Sequence, residues 1–143
     1  MRGPALLVAL LATACAAVSH GGPVRDHVSF VDALRARGVT VGISSEAPPQ
    51  RGLRGHGTRL VISGAGITQQ EVDSYNYDPT DLARVGDASR LAEEDAARLR
   101  TALPSGPVHA YRRERVVVLY TGDDAAMKRL LSDVLGAQFA GTT

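Results

Sequence analysis

A run of basic side chains between Arg51 and Arg59 is the first place where residue types and spacing could do chemistry. Its members are Arg51, Arg54, His56 and Arg59, which lie in or beside a glycine-rich loop. Guanidinium groups bind phosphate and carboxylate through paired hydrogen bonds, so this run is a candidate binding loop for an anionic ligand. The sequence favours the simpler interpretation, a solvated basic loop, and leaves the binding site as the alternative.

Two acidic residues and a glycine turn are weaker candidates. Asp123 and Asp124 follow an apolar strand pattern, as metal-binding carboxylates often do, but no third ligand is visible and capping of the next helix explains them. The turn Gly64–Gly66 precedes a strand pattern, whereas a phosphate loop would open a helix. We therefore expect a helix cap and a hairpin turn at these two places.

The remaining polar residues show no catalytic or metal-binding spacing. The histidines His20, His27, His56 and His109 lack zinc-ligand spacing, and no Gly-x-Ser-x-Gly motif occurs. The tyrosines Tyr75, Tyr77, Tyr111 and Tyr120 could line a pocket, but packing on strand faces is the simpler expectation. The sequence thus predicts no catalytic residue, no metal ligand and no cofactor.

Cys15, the only cysteine, lies at the end of an apolar run near the N-terminus. Met1 and Arg2 supply a short positive start, Ala5 to Leu11 is apolar, and small residues follow up to the cysteine. This is the anatomy of a signal peptide, and the run is far shorter than the ~20 residues that span a bilayer. The residues before Cys15 resemble the lipobox of bacterial lipoproteins, in which the cysteine carries a lipid.

Two ways of processing this leader remain open. Cleavage before Cys15 would make it a lipid-bearing N-terminus, and the absence of any disulfide partner favours this interpretation. Ordinary secretion is the alternative, because Ala12-Thr13-Ala14 is also an A-x-A cleavage site. The predicted organisation is a signal peptide at 1–14, a lipid anchor and flexible tether at 15–25, and one domain at 26–143.

Charge and composition limit the classes of partner. Arg2 is the only charged residue of the leader, so the rest of the chain carries 15 basic and 15 acidic side chains. Proteins that grip nucleic acid usually show a basic excess, so nucleic acid is not an expected partner. A hydrophobic fraction of 44% with 22% charged residues is ordinary for a globular domain.

The hydrophobic patterns predict an α+β domain with a mostly antiparallel sheet of four to five strands and two to three helices packed on it. Asp26 and Asp124 are expected to cap the first and last helices, and a middle helix is expected to start at Asp78, with a possible break near Gly86. The strand from Ile67 is expected to be half-exposed or at an edge, and Glu93–Asp95 to form a solvated helix face. The predicted segments are helix 26–37, strand 39–43, hairpin strands 58–62 and 67–77, a helix from 78, strands 108–111 and 115–120, and a helix ending near 135.

The chain resembles a group of small, uncharacterised bacterial exported proteins, many of which look like lipoproteins. The likeness is carried by Gly57–Ile62, by Gln70–Tyr77, by Tyr111–Asp124 (YRRERVVVLYTGDD) and by the tail Leu135–Gly141 (LGAQFAG). It covers about two thirds of the chain that follows the leader. The resemblance implies an exported protein with this domain plan, and it implies no activity and no site residues.

Three functional hypotheses follow from these observations. The first is a non-enzymatic binding module of the cell envelope, tethered to the membrane by Cys15 and acting on an envelope protein or polymer. The second is a secreted ligand-binding domain or enzyme whose site uses Arg54, His56 and Arg59 beside Tyr75 or Tyr77. The third is a protein that binds lipid or cell-wall polymer on the exposed face of the hairpin.

Overall fold

The computed structural model describes residues 21–79 and 85–142 of the chain. The predicted signal peptide and Cys15 lie outside these residues. Three helices and six strands occur in the described part. They are α1 His27–Arg35, β1 Thr40–Glu46, β2 His56–Gly64, β3 Ile67–Asn76, α2 Val85–Leu99, β4 Val108–Arg113, β5 Val116–Thr121, α3 Ala125–Leu135 and β6 Ala140–Gly141.

All six strands join one sheet in the order β1-β2-β3-β5-β4-β6, and every neighbouring pair is antiparallel. The predicted α+β class is therefore confirmed, with one strand more than expected. The additional strand is β6, in which Ala140 and Gly141 pair with Ala110 and His109 of β4. A two-residue strand has no periodicity of its own, so only its partner strand defines it.

Strand β5 shows how the sheet separates two hydrophobic clusters. Val116, Val118 and Tyr120 pack on the side that carries α1 and α3, while Val117 and Leu119 pack on the side that carries α2. Successive side chains of a strand point to opposite faces, so an unbroken apolar run is what a doubly covered strand requires. The domain consequently has three layers, with the sheet in the middle.

Of the two expectations for the strand from Ile67, the edge position is wrong, whereas half-exposure is confirmed, since Thr68, Gln69 and Glu71 are exposed. β3 lies third in the sheet, between β2 and β5. The polar residues of this segment suggested an edge, but some of them are buried. Ser74 is fully buried, and its hydroxyl contacts the His27 ring at 3.2 Å. Tyr75 and Tyr77 are almost completely buried. Interior strands can carry polar groups when each one has a hydrogen-bond partner.

Helix caps follow local sequence as predicted. Asp26 accepts the backbone N–H of Ser29 at 2.9 Å, and the Ser29 side chain completes a capping box around the first turn of α1. Asp124 likewise accepts the backbone N–H of Met127 at 2.8 Å at the start of α3. The predicted start of the middle helix runs into residues 80–84, which lie outside the described part, and Gly86 lies in the first described turn of α2.

Candidate functional site

The basic loop predicted from the sequence is built around a buried carboxylate. Asp95 of α2 is completely buried and accepts hydrogen bonds from the backbone N–H of Arg54 at 3.0 Å and from its guanidinium at 2.6 Å. The Tyr77 hydroxyl donates to the same carboxylate at 2.8 Å, and Arg98 donates at 3.0 Å. A Cβ at Gly55 would lie 2.8 Å from the Tyr77 ring, so this glycine allows the loop to pack closely against Tyr77.

This network corrects the expectation that Glu93–Asp95 forms a solvated helix face. Glu93 is exposed and Glu94 is partly exposed, but Asp95 points inward from α2. Burial would raise the pKa of Asp95, and the hydrogen bonds from Arg54 and Tyr77 outweigh burial, so the pKa is lowered. The Asp95 side chain raises the pKa of Arg54 in return, mainly through the hydrogen bond between them. The Arg54 guanidinium is therefore already bound to a carboxylate of its own chain.

The Arg59 guanidinium is also bound to a carboxylate of the same chain. It makes a two-pronged contact with Asp73 across β2 and β3, at 2.8 and 3.0 Å. This hydrogen bonding raises the pKa of Arg59. Arg51 is exposed on the loop, and His56 is an exposed residue at the start of β2 that is itself engaged in an interaction.

The structure does not bring the predicted basic residues into one pocket. Arg54 and His56 line a cavity of about 190 Å³ together with Tyr77. Arg59 lines a different cavity of about 120 Å³ with Asp73. Tyr75 donates its hydroxyl to the Pro48 carbonyl at 2.8 Å, and burial raises its pKa to about 12. The basic loop thus has a clear structural role, and anion binding there stays a prediction.

A larger concavity lies at another end of the domain. It has a volume of about 630 Å³ and lies between the segment before α1, the β4–β5 turn and α2. We call it the N-terminal groove, and define it by its lining residues Pro23, Val24, Arg25, Asp26, Ser89, Arg113, Glu114 and Arg115. Three guanidinium groups and two carboxylates therefore line one open space.

Some charged side chains of the N-terminal groove have a partner within the described residues, and others do not. Arg115 pairs with Asp26 at 3.1 Å, and the Ser89 hydroxyl donates to Glu114 at 3.2 Å. The hydrogen bonds from the backbone N–H and then the hydroxyl of Ser29 outweigh burial and, with the nearby Arg115, hold the pKa of Asp26 below its ordinary value, so this carboxylate stays charged. Arg25 and Arg113 are exposed, and within the described residues neither side chain is ion-paired.

A polar cluster of different character surrounds the end of β5. The His109 ring is buried, its Nδ1 lies 2.8 Å from Gln138 Oε1, and its face stacks on the Tyr120 ring. His109 Nε2 lies 3.6 Å from Asp123 Oδ1. In the described part of the chain, this nitrogen is the only buried side-chain polar atom without a hydrogen-bond partner. Such an atom needs an explanation because unpaired buried polar groups are costly.

The two acidic residues of this region have separate roles. Asp124 caps α3, as the sequence predicts, and its backbone N–H donates to the Tyr120 hydroxyl at 3.1 Å. Asp123 is largely exposed and lies 3.7 Å from the Lys128 ammonium. Gly122 has φ +152°, and a Cβ there would lie 2.6 Å from the Tyr120 hydroxyl. Gly64–Gly66 is the β2–β3 turn, also as predicted.

Sequence reasoning missed both the N-terminal groove and the His109 cluster. The charged run Arg112–Arg115 was visible as a turn, but nothing local shows that it meets Arg25 and Ser89 in space. His109 and Asp123 lie 14 positions apart with no recognisable spacing, and only the pairing of β4 with β5 brings them together. No described group of three or more His, Cys, Asp or Glu side chains is arranged to hold a metal ion.

The described helices are too short and too polar for any of them to cross a membrane. Comparisons with protein-family models, with curated proteins and with solved structures find no match for this chain. Function is therefore inferred from the geometry of the chain itself.

Proposed function

We propose that this chain is an exported protein of the bacterial cell envelope, anchored by a lipid on Cys15, that acts as a non-enzymatic binding module. The leader pattern up to Cys15 supports export and lipidation. The observation that carries the binding role is the N-terminal groove, a 630 Å³ concavity in which Arg25 and Arg113 have no carboxylate partner among the described residues.

The groove is suited to an anionic ligand. Asp26 is neutralised by Arg115, so the two guanidinium groups without an ion pair among the described residues share the groove with one remaining carboxylate, that of Glu114. Guanidinium groups bind carboxylate or phosphate in a bidentate manner, which fixes the orientation of the ligand. Phosphate or carboxylate groups of an envelope protein or polymer supply this chemistry.

The position of the groove in the chain agrees with a tether at Cys15. Arg25 follows Cys15 by ten residues, which extend over at most ~35 Å. A lipid on Cys15 therefore holds the groove within that distance of the outer face of the cytoplasmic membrane. The ligand is accordingly an envelope component within reach of that surface.

Metabolic labelling tests the anchor. A fatty-acid analogue fed to an expressing bacterium is expected to label the wild-type chain and not Cys15→Ser, at equal amounts of protein on an immunoblot. Equal labelling of the two chains would refute lipidation at Cys15. Secretion of an unlabelled wild-type chain into the medium would favour the ordinary signal-peptide alternative.

Phosphate titration tests the groove against the basic loop. Inorganic phosphate added to the Cys15→Ser chain is expected to shift the NMR signals of the Arg25 and Arg113 side chains in a saturable manner. Arg25→Gln should abolish saturation, whereas Arg51→Gln, an equal loss of charge in the basic loop, should leave it intact. A saturable response of the Arg51–Arg59 loop alone would instead support the second hypothesis, a site in that loop.

A further inference from the structure

We infer that His109 and Asp123 form an open binding site for a borderline divalent cation, with Zn²⁺ as the representative ion. The inference is independent of the anchor and of the N-terminal groove. It starts from the unpartnered Nε2 atom of His109, a residue that is only 1% exposed.

The hydrogen bond on the other side of the ring determines what Nε2 offers. Gln138 Oε1 can only accept, and its amide group is oriented by a second hydrogen bond from Gln138 Nε2 to the Thr142 carbonyl at 3.0 Å. The proton of a neutral His109 ring therefore lies on Nδ1, and Nε2 carries a free lone pair. Histidines that bind metals are typically oriented in this way, by a hydrogen bond from the nitrogen that does not bind.

The facing carboxylate lies at a suitable distance. His109 Nε2 and Asp123 Oδ1 are 3.6 Å apart, too far for a hydrogen bond. Zinc bonds to imidazole and carboxylate at about 2.1 Å, and tetrahedral geometry places two such ligand atoms roughly 3.4 Å apart. A lone pair and a carboxylate at this spacing repel each other, and a cation between them removes the repulsion.

The ring is preorganised and buried, while the facing carboxylate is exposed. Tyr120 stacks against the His109 ring with centroids 6.0 Å apart, and Gln138 holds its edge. Asp123 is 69% exposed, so the cation reaches the buried Nε2 atom past this carboxylate, and water completes its coordination. With only two protein ligands the site is an exchangeable one and not a structural zinc centre.

The Lys128 ammonium competes with a bound cation for the Asp123 carboxylate. It lies 3.7 Å from the same Asp123 oxygen that faces His109. A bound cation and this ammonium repel each other, so removal of the ammonium should strengthen metal binding. This consequence distinguishes the proposed site from a nonspecific attraction to acidic residues.

The test is a Zn²⁺ titration of the full chain carrying Cys15→Ser, followed through the His109 ring signals in NMR spectra. Wild-type His109 is expected to show saturable shifts, and Asp123→Asn to weaken binding at least tenfold. Lys128→Met is expected to bind at least threefold more tightly. His109→Gln, followed through the backbone amide signal of Asp123, should lose the site, whereas His56→Gln, the same change at an exposed histidine, should not.

Three outcomes would overturn the site. One is His109 signals that stay unmoved up to millimolar Zn²⁺, and another is equal affinity in Asp123→Asn and the wild type. The third is a set of His109 ring signals that respond to protonation of Nε2 but not to Zn²⁺. That result would mean that His109 and Asp123 share a proton and bind no cation. Asp123 is largely exposed and Lys128 is partly exposed, so their variants remain informative if His109→Gln fails to fold.

Discussion

Asp95 is the side chain on which the basic loop depends. It is the only completely buried acidic residue in the described part of the chain, and its carboxylate holds Arg54, Tyr77 and Arg98. The sequence could not reveal this role because Asp95 follows two other acids on a helix, and its main partner lies 41 positions away. Burial of one acid among three is decided by tertiary packing, which no local pattern reports.

Asp95→Asn should lower the free energy of unfolding by about 3 kcal/mol, because the change leaves a neutral acceptor beside arginines that were paired with a charge. Glu94→Gln is the matched control, and it should change stability by less than about 0.5 kcal/mol because Glu94 is 41% exposed. Urea unfolding at neutral pH measures both variants. Similar losses in the two variants would contradict a special role for Asp95.

The dependence of stability on pH provides a second test of Asp95. The pKa of Asp95 is lower in the folded chain than in the unfolded chain, so its stabilising contribution is present above the ordinary Asp pKa. That contribution is lost as the pH falls through the folded-state value, because the wild-type carboxylate then becomes protonated. The difference in stability between the wild type and Asp95→Asn should therefore shrink as the pH is lowered toward 3.

Caps and core strands are the elements that the sequence predicts well. Asp26 with Ser29 and Asp124 with Met127 are contacts within four residues, so the local pattern contains both partners. The apolar run of β5 predicts an interior strand, and β5 lies between β3 and β4. By contrast, β6 depends on pairing with β4 some 30 positions away, and its two residues carry no pattern.

Gln138 and backbone hydrogen bonds to β4 hold the tail that forms β6. The backbone N–H groups of Phe139 and Thr142 donate to the carbonyls of Ala110 and Val108, both at 2.9 Å. Gln138→Ala removes the acceptor for His109 and the bond to the Thr142 carbonyl, and should cost about 1–2 kcal/mol.

Hydrogen exchange locates the effect of Gln138→Ala. The amides of Phe139 and Thr142 should exchange faster, while the amides that join β4 to β5 should stay protected, because low-stability segments open locally. Ala137→Ser, at the exposed neighbouring position, is the control and should leave the tail protected. Uniform loss of protection across the whole sheet would show that the tail is part of the main folding unit.

The distribution of charge is a property of the whole molecule. The sequence gives the number of charged residues but not which of them pair. Equal numbers of acids and bases after the leader predict no strong overall field, and that balance hides local differences. The fold pairs Arg54 and Arg59 with internal carboxylates and leaves Arg25 and Arg113 without ion pairs among the described residues. Which arginines remain available for a ligand is therefore decided by tertiary pairing, and the most conspicuous run in the sequence is the one that the fold uses internally.

The sheet should couple the two hydrophobic clusters into one cooperative unit, because alternate residues of β5 belong to both. Leu99 of α2 and Leu131 of α3 lie on opposite sides of the sheet, and each is completely buried. Leu99→Ala and Leu131→Ala should each lower stability by about 2–5 kcal/mol, through lost burial and the cavity left behind. In both variants the unfolding curves from tyrosine fluorescence and from far-UV circular dichroism should coincide. Curves that do not coincide in the Leu99→Ala chain would mean that α2 unfolds separately and that the sheet does not join the two clusters energetically.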